Sequence, residues 1–122
     1  MSLLNLSHIK VLMDKHNKPK IYDLSQAKSL SEPLCSSNLI ENRSTVQDRI
    51  YLAPEIMNSQ LNLPLKGDKI DVFAFGVMLF TSLYKSPPFK TASLKDPFFK
   101  LLSSKNGNHQ DKFFKSHPAL RG

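Results

Sequence analysis

The side chains able to do chemistry in this chain are a few carboxylates, four histidines and one cysteine. Asp23 follows Lys20-Ile21-Tyr22 and precedes Leu24-Ser25. A carboxylate there can hold a divalent cation, and it can equally cap a turn; its neighbours leave both roles open. His8, His16, His109 and His117 show no paired spacing of the kind metal sites use, so they are expected on loops or at the surface. Cys35 lies in a polar, serine-rich stretch without a base beside it, which argues against a nucleophile. The strongest ordered signal is a series rather than a cluster. Tyr51-Leu52-Ala53-Pro54-Glu55 is followed by Asp71, then by Val72-Phe73-Ala74-Phe75-Gly76-Val77-Met78-Leu79-Phe80, and finally by Ser86-Pro87-Pro88-Phe89.

These residues need elements to position them. Ile9–Met13 is short, apolar and partly alternating, Asp14–Pro19 is rich in turn formers, and Lys20–Tyr22 is a second short apolar run, so the three predict a hairpin. From Ser25 to Asp48 the chain is polar without a sustained period, which predicts a long loop. Asp68 is suited to cap a helix starting near Lys69. From Ile70 to Leu83 that helix is apolar almost all round, so it is expected at the centre of a domain, with Gly76 marking a close backbone approach. Pro87 and Pro88 forbid its continuation. Asp96-Pro97 predicts a cap and first helical residue, Phe98, Phe99, Leu101 and Leu102 give that helix an apolar side, and Asn106-Gly107-Asn108 is read as its end. Beyond it, Phe113, Phe114 and Pro118 show no clear final element, and the four phenylalanines from 98 to 114 are expected in the core.

The 122 residues allow one domain or a piece of one, and 40% hydrophobic content supports a core. A single cysteine excludes an internal disulfide framework and fits a reducing compartment. The start shows no signal peptide, and the longest apolar run is far shorter than the roughly 20 residues a membrane span needs. The formal net charge of +7 is uneven: residues 1–30 carry +3, residues 31–84 carry −2 and residues 85–122 carry +6. Lys85, Lys90, Lys95, Lys100 and Lys105 recur every five residues, a step that builds no stripe on a helix, and arginine is scarce there. A solvated lysine-rich face is expected rather than a nucleic-acid or membrane contact.

The series from Tyr51 to Phe89 resembles the large lobe of a eukaryotic protein kinase: the Ala-Pro-Glu signature, the central helix with its Asp and Gly, and the Pro-Pro-Phe loop behind it. The resemblance also lays Asn5–Ser25 without gaps on the segment that carries a kinase's catalytic loop. It places Asn5 where the family has its catalytic Asp, and a neutral amide accepts a proton poorly. Ser7 stands at the position of a Lys that neutralises the transferred phosphoryl group. Lys10 stands at that of an Asn that ligates magnesium, although an ammonium has no lone pair to give. Leu4 replaces an Arg that pairs with a phosphorylated loop in many kinases. Asp23-Leu24-Ser25 matches Asp-Phe-Gly, with Asp23 as the magnesium ligand, Leu24 packing in place of Phe, and Ser25 in place of the flexible glycine. Gln47–Tyr51 matches the Gly-Thr-x-x-Tyr that precedes Ala-Pro-Glu, with Asp48 at the Thr. Leu12 matches the residue beneath the adenine, and Asp71 the Asp that caps the catalytic loop. Ala53, Pro54, Glu55, Asp71 and Gly76 form the retained structural motif. The Arg that would pair with Glu55 falls past residue 122. Lys85–Lys90 and Asp96–Leu102 also resemble calcium/calmodulin-dependent Ser/Thr kinases.

The resemblance therefore implies a mainly α fold with a small β-hairpin, residues 1–122 forming part of a kinase large lobe without the small lobe or the last helices. By family, ATP and magnesium are the cofactors; with these replacements none is expected for this chain. The expected function is a catalytically inactive, kinase-like domain that acts by binding protein partners. The alternative is a piece of a Ser/Thr kinase that transfers the ATP γ-phosphate to protein. An intracellular, cytoplasmic location is expected.

Overall fold

The computed structural model describes residues 1–34, 39–40, 48–57 and 65–117. Residues 35–38 and 41–47 of the serine-rich loop, Cys35 among them, and Pro118 lie outside them. The described residues form one two-stranded antiparallel sheet and four helices.

A single 3-10 turn, His8–Lys10, leads into β1 (Val11–Met13), which pairs with β2 (Pro19–Ile21) in the register Val11 to Ile21, Leu12 to Lys20 and Met13 to Pro19. Ile9, expected in the strand, belongs to the turn before it. Asp14 shapes the connection: one carboxylate oxygen accepts from the amides of His16 (2.8 Å) and Lys18 (2.9 Å). Asn17 takes the left-handed conformation there (φ 59°), which a short polar side chain tolerates. The base of this unit is closed by two backbone bonds between Ser2 and Lys28.

A 3-10 turn over Asp48–Tyr51 precedes α1 (Pro54–Met57), and α2 follows as an 18-residue helix, Gly67–Tyr84. It starts earlier than expected. Lys66 is the residue before its first turn, and Asp68 sits exposed inside that turn rather than capping it, where its charge suits the positive helix end. At the other end Lys85 adopts a left-handed φ of 55° and its amide donates to the Thr81 carbonyl at 2.8 Å. This is a closure glycine usually provides.

The expected all-round burial of α2 is corrected by the structure. Gly67, Ile70, Ala74 and Val77 are buried, at helical spacing, while Val72, Phe75, Leu79 and Leu83 on the opposite side are 51–67% exposed. The described elements pack against one side of the helix, and apolar residues are buried only where something covers them. Gly76 is likewise not a close-approach site: a Cβ built there meets nothing within 4 Å. The tight glycine is Gly67, whose Cβ would collide with the Ser2 side chain.

Two apolar cores flank α2. Leu4, Leu52, Ile56 and Ile70 anchor one; Leu6, Val77, Phe89 and Phe99 anchor the other, and Phe73 packs on both. Asp96 caps α3 (Pro97–Leu102): one carboxylate oxygen accepts from the amides of Phe98 (2.9 Å) and Phe99 (3.2 Å), with Pro97 in the first helical position. Its other oxygen accepts from Lys90 (2.9 Å) and Thr91 (3.2 Å), tying the Pro-Pro-Phe loop to the helix. Asn106 does not end a helix but begins one. Its side chain accepts from the Asn108 amide (3.0 Å) and opens α4 (Gly107–Ser116), which buries Phe113. Phe98 and Phe114, expected in the core, remain 39% and 46% exposed.

Candidate functional site

Asp71 projects from the first half of α2 to the start of the chain. Its two carboxylate oxygens accept from the backbone amides of Leu3 (2.6 Å) and Leu4 (2.8 Å). Leu4 needs such a clamp, because it sits at φ 62°, a left-handed conformation that costs a branched side chain about 1–2 kcal/mol. Its side chain is buried in the core with Leu52 and Ile70 rather than reaching outward. The clamp thus sets the direction of the segment that follows: Asn5 half-buried, Leu6 buried, Ser7 1% exposed. The Ser7 hydroxyl is enclosed and finds no hydrogen-bond partner among the described residues. The Ser7 side chain therefore points into the protein.

His8 links three parts of the chain. Its Nδ1 lies 2.7 Å from the Tyr51 hydroxyl and its Nε2 3.2 Å from Ser82 Oγ on α2. Sequence reading places His8 on a loop without a role. No spacing could have signalled the contact, since its partners lie 43 and 74 residues away.

At the open end of the hairpin, Lys10 and Asp23 form an ion pair. The Tyr22 amide donates to the Lys10 carbonyl (3.0 Å), which holds the two residues side by side, and Lys10 Nζ lies 5.7 Å from the centre of the Tyr22 ring. Asp23 itself is left-handed (φ 64°), and its other carboxylate oxygen accepts from Ser25 Oγ (2.5 Å) and the Ser25 amide (3.2 Å). Backbone freedom expected at position 25 is thus used at position 23, where an Asp tolerates it. The Lys10 ammonium, followed by the Ser25 hydroxyl and amide, holds the Asp23 carboxyl down at about 2. Magnesium does not fit this set. It requires oxygen ligands in near-octahedral array; here both carboxylate oxygens are engaged and the neighbouring group is a cation.

Leu12 lies on β1 with its side chain 54% exposed, and Leu24 is exposed rather than packed. Glu55 is half-buried in the first turn of α1, beside the buried Ala53. A separate apolar groove of about 270 Å³ lies between α2, the Pro-Pro-Phe loop and α3, lined by Phe73, Val77, Phe80, Phe89 and Leu102. It presents no titratable group. Among the described residues no group of three or more His, Cys, Asp or Glu side chains is placed to hold a metal, and no helix is long and apolar enough to cross a membrane.

A loop clamped by an Asp of a long helix, a hairpin ending in an Asp, and an Ala-Pro-Glu turn in this order agree with the comparison to known families, in which the protein kinase domain matches residues 8–117. The chain belongs to the protein kinase domain family. Among its relatives is a protein named serine/threonine-protein kinase PKH1 of Saccharomyces cerevisiae, 30% identical over 100 residues, covering 75% of this chain and 12% of that protein. Protein kinase PVPK-1 of Phaseolus vulgaris is 29% identical over 89 residues, covering 73% of this chain and 14% of its own length. Serine/threonine-protein kinase KIPK2 of Arabidopsis thaliana is 36% identical over 78 residues, covering 62% of this chain and 8% of its own length. The chain thus spans a small fraction of these relatives. No solved structure matches it.

Proposed function

We propose that this kinase-family chain is a piece of a large lobe, spanning residues 1–122, that does not transfer phosphate and acts by contact with protein partners. The observation that carries the reading is the residue that follows the Asp71 clamp. Immediately after the pinned Leu3 and Leu4 amides comes Asn5, at the family's base position. A general base needs a lone pair with appreciable proton affinity, and a neutral carboxamide lacks one. Inward-facing Ser7 adds a second deficit, because no cation stands there to neutralise a phosphoryl group. With base and neutralising cation replaced together, Leu12 serves as an apolar hairpin residue rather than an adenine floor, and neither ATP nor magnesium is a cofactor.

A second reading is favoured by the relatives, whose names describe Ser/Thr kinases: the chain would be a piece of an active Ser/Thr kinase. The Lys85–Lys90 and Asp96–Leu102 segments support placing it beside calcium/calmodulin-dependent kinases. An intracellular, cytoplasmic site of action accords with the single cysteine.

The test is phosphate incorporation from labelled ATP into a generic Ser/Thr protein substrate. Incorporation equal to a no-enzyme control is expected, and Asn5→Asp alone is expected not to restore it. Turnover above control that disappears in Asp23→Ala would establish the second reading instead.

A further inference from the structure

Both carboxylate oxygens of Asp23 are engaged by groups of its own chain. One carboxylate oxygen meets the Lys10 ammonium, and the other takes two donors from Ser25. The partners are not loosely arranged. Lys10 is fixed through its carbonyl to the Tyr22 amide, its side chain is 18% exposed, and its ammonium lies near the Tyr22 ring face. Asp23 is held in a left-handed turn by its own contacts to Ser25, so the carboxylate cannot swing away without losing them.

We propose that the Lys10 ammonium is a tethered replacement for a divalent cation: it takes the cation position on Asp23 and makes this site independent of metal. The assignment deepens the non-catalytic reading, and it rests on that reading only in placing Asp23 at the family's metal position. The physical case has three parts. An ammonium supplies donors and positive charge but no lone pair, so it can satisfy a carboxylate yet never ligate an ion beside it. An incoming dication must displace the ammonium or share the carboxylate with it, and either way lies within a few ångströms of that charge, a repulsion that solvent screens only partly. A cation on the same chain competes at a high effective concentration that free ions must exceed. Asparagine at position 10 would reverse each of these: it removes the charge, frees one Asp23 oxygen and adds an amide oxygen able to ligate.

The experiment measures manganese binding to the 122-residue chain through water-proton relaxation, with manganese alone as the probe. The parent is expected to bind it no better than Asp23→Asn does. Lys10→Asn is expected to bind manganese at least roughly tenfold more tightly than the parent, as loss of one nearby positive charge implies. Lys10→Arg, which keeps the charge, should behave as the parent. Asp23→Asn added to Lys10→Asn should abolish the gain, which locates the ion on this carboxylate. Circular dichroism checks that each variant is folded, and Lys10→Gln serves in the same way if Lys10→Asn is not. The proposal is overturned if the parent binds manganese in an Asp23-dependent manner, or if folded Lys10→Asn and Lys10→Gln bind no better than the parent. Phosphate transfer is not read here, so a failed titration leaves the argument from Asn5 standing, and a positive phosphorylation assay leaves the titration interpretable.

Discussion

Replacing Asp71 by alanine should be among the most damaging single changes in this chain, although Asp71 is neither fully buried nor part of an apolar core. Its carboxylate accepts from Leu3 at 2.6 Å and from Leu4 at 2.8 Å. A hydrogen bond to a charged acceptor contributes about 1.5–3 kcal/mol, so the pair contributes about 3–6 kcal/mol. Part of this holds Leu4 at φ 62°, and release of that strain returns about 1–2 kcal/mol once the clamp is gone. The expected net loss is about 1–5 kcal/mol, against a typical domain stability of about 5–15 kcal/mol. Urea unfolding followed by circular dichroism measures it. Asp71→Ala should move the midpoint strongly downward or leave no cooperative transition. Asp71→Asn keeps one acceptor oxygen and should lose roughly half as much. If Asp71→Ala unfolds within about 0.5 kcal/mol of the parent, the carboxylate does not hold the Leu3–Leu4 backbone, and the route from α2 to Asn5 is wrong.

The two glycines of α2 should respond in opposite senses. Gly76→Ala faces open space and should raise stability by about 0.5–1 kcal/mol, whereas Gly67→Ala should lower the melting temperature because its Cβ meets Ser2. Asp96 should make stability fall in acid. Burial pushes its carboxyl up, but the amides of Phe99, Lys90, Thr91 and Phe98 outweigh this and hold it below the ordinary 3.8. A depressed value in the folded chain means its contribution is present above about pH 4 and is lost as pH falls through the folded value. The melting temperature of the parent should therefore drop more steeply below pH 4 than that of Asp96→Asn; parallel curves would refute the assignment.

Much of this architecture is local and was therefore legible. Asp96-Pro97 and the Asp14–Pro19 turn reveal themselves because cap and turn chemistry act over a few residues. The family pattern from Ala53 to Phe89 is legible because its order is unusual. Asn106 is ambiguous in the sequence because an Asn-Gly pair serves as well before a helix as after one, and only the burial of Phe113 decides. Apolarity all round α2 predicts burial all round, but composition reports which surfaces can be covered, not which are. Nothing local marks Gly67 rather than Gly76 as the tight position, because the atoms that crowd it belong to Ser2, far away in sequence. The Lys10–Asp23 pair is illegible in the sequence for a different reason. Position by position, Lys10 is a replacement and Asp23 a retained residue, while the chemistry lies in the two meeting.

The bridge through His8 has a built-in polarity. Ser82 Oγ spends its one proton on the Met78 carbonyl at 2.8 Å, so towards the imidazole it can only accept. The proton of the neutral ring must then reside on Nε2, which leaves Nδ1 as a bare lone pair and obliges the Tyr51 hydroxyl to donate to it. Donation therefore runs one way, from Tyr51 through His8 and Ser82 to the Met78 carbonyl, and each dipole is aligned with the next. A second proton on the ring would make both nitrogens donors and turn the Tyr51 hydroxyl around. The turn before Ala-Pro-Glu, the clamped loop and α2 are joined by a relay whose direction is dictated at its far end, by a serine that has already committed its hydrogen.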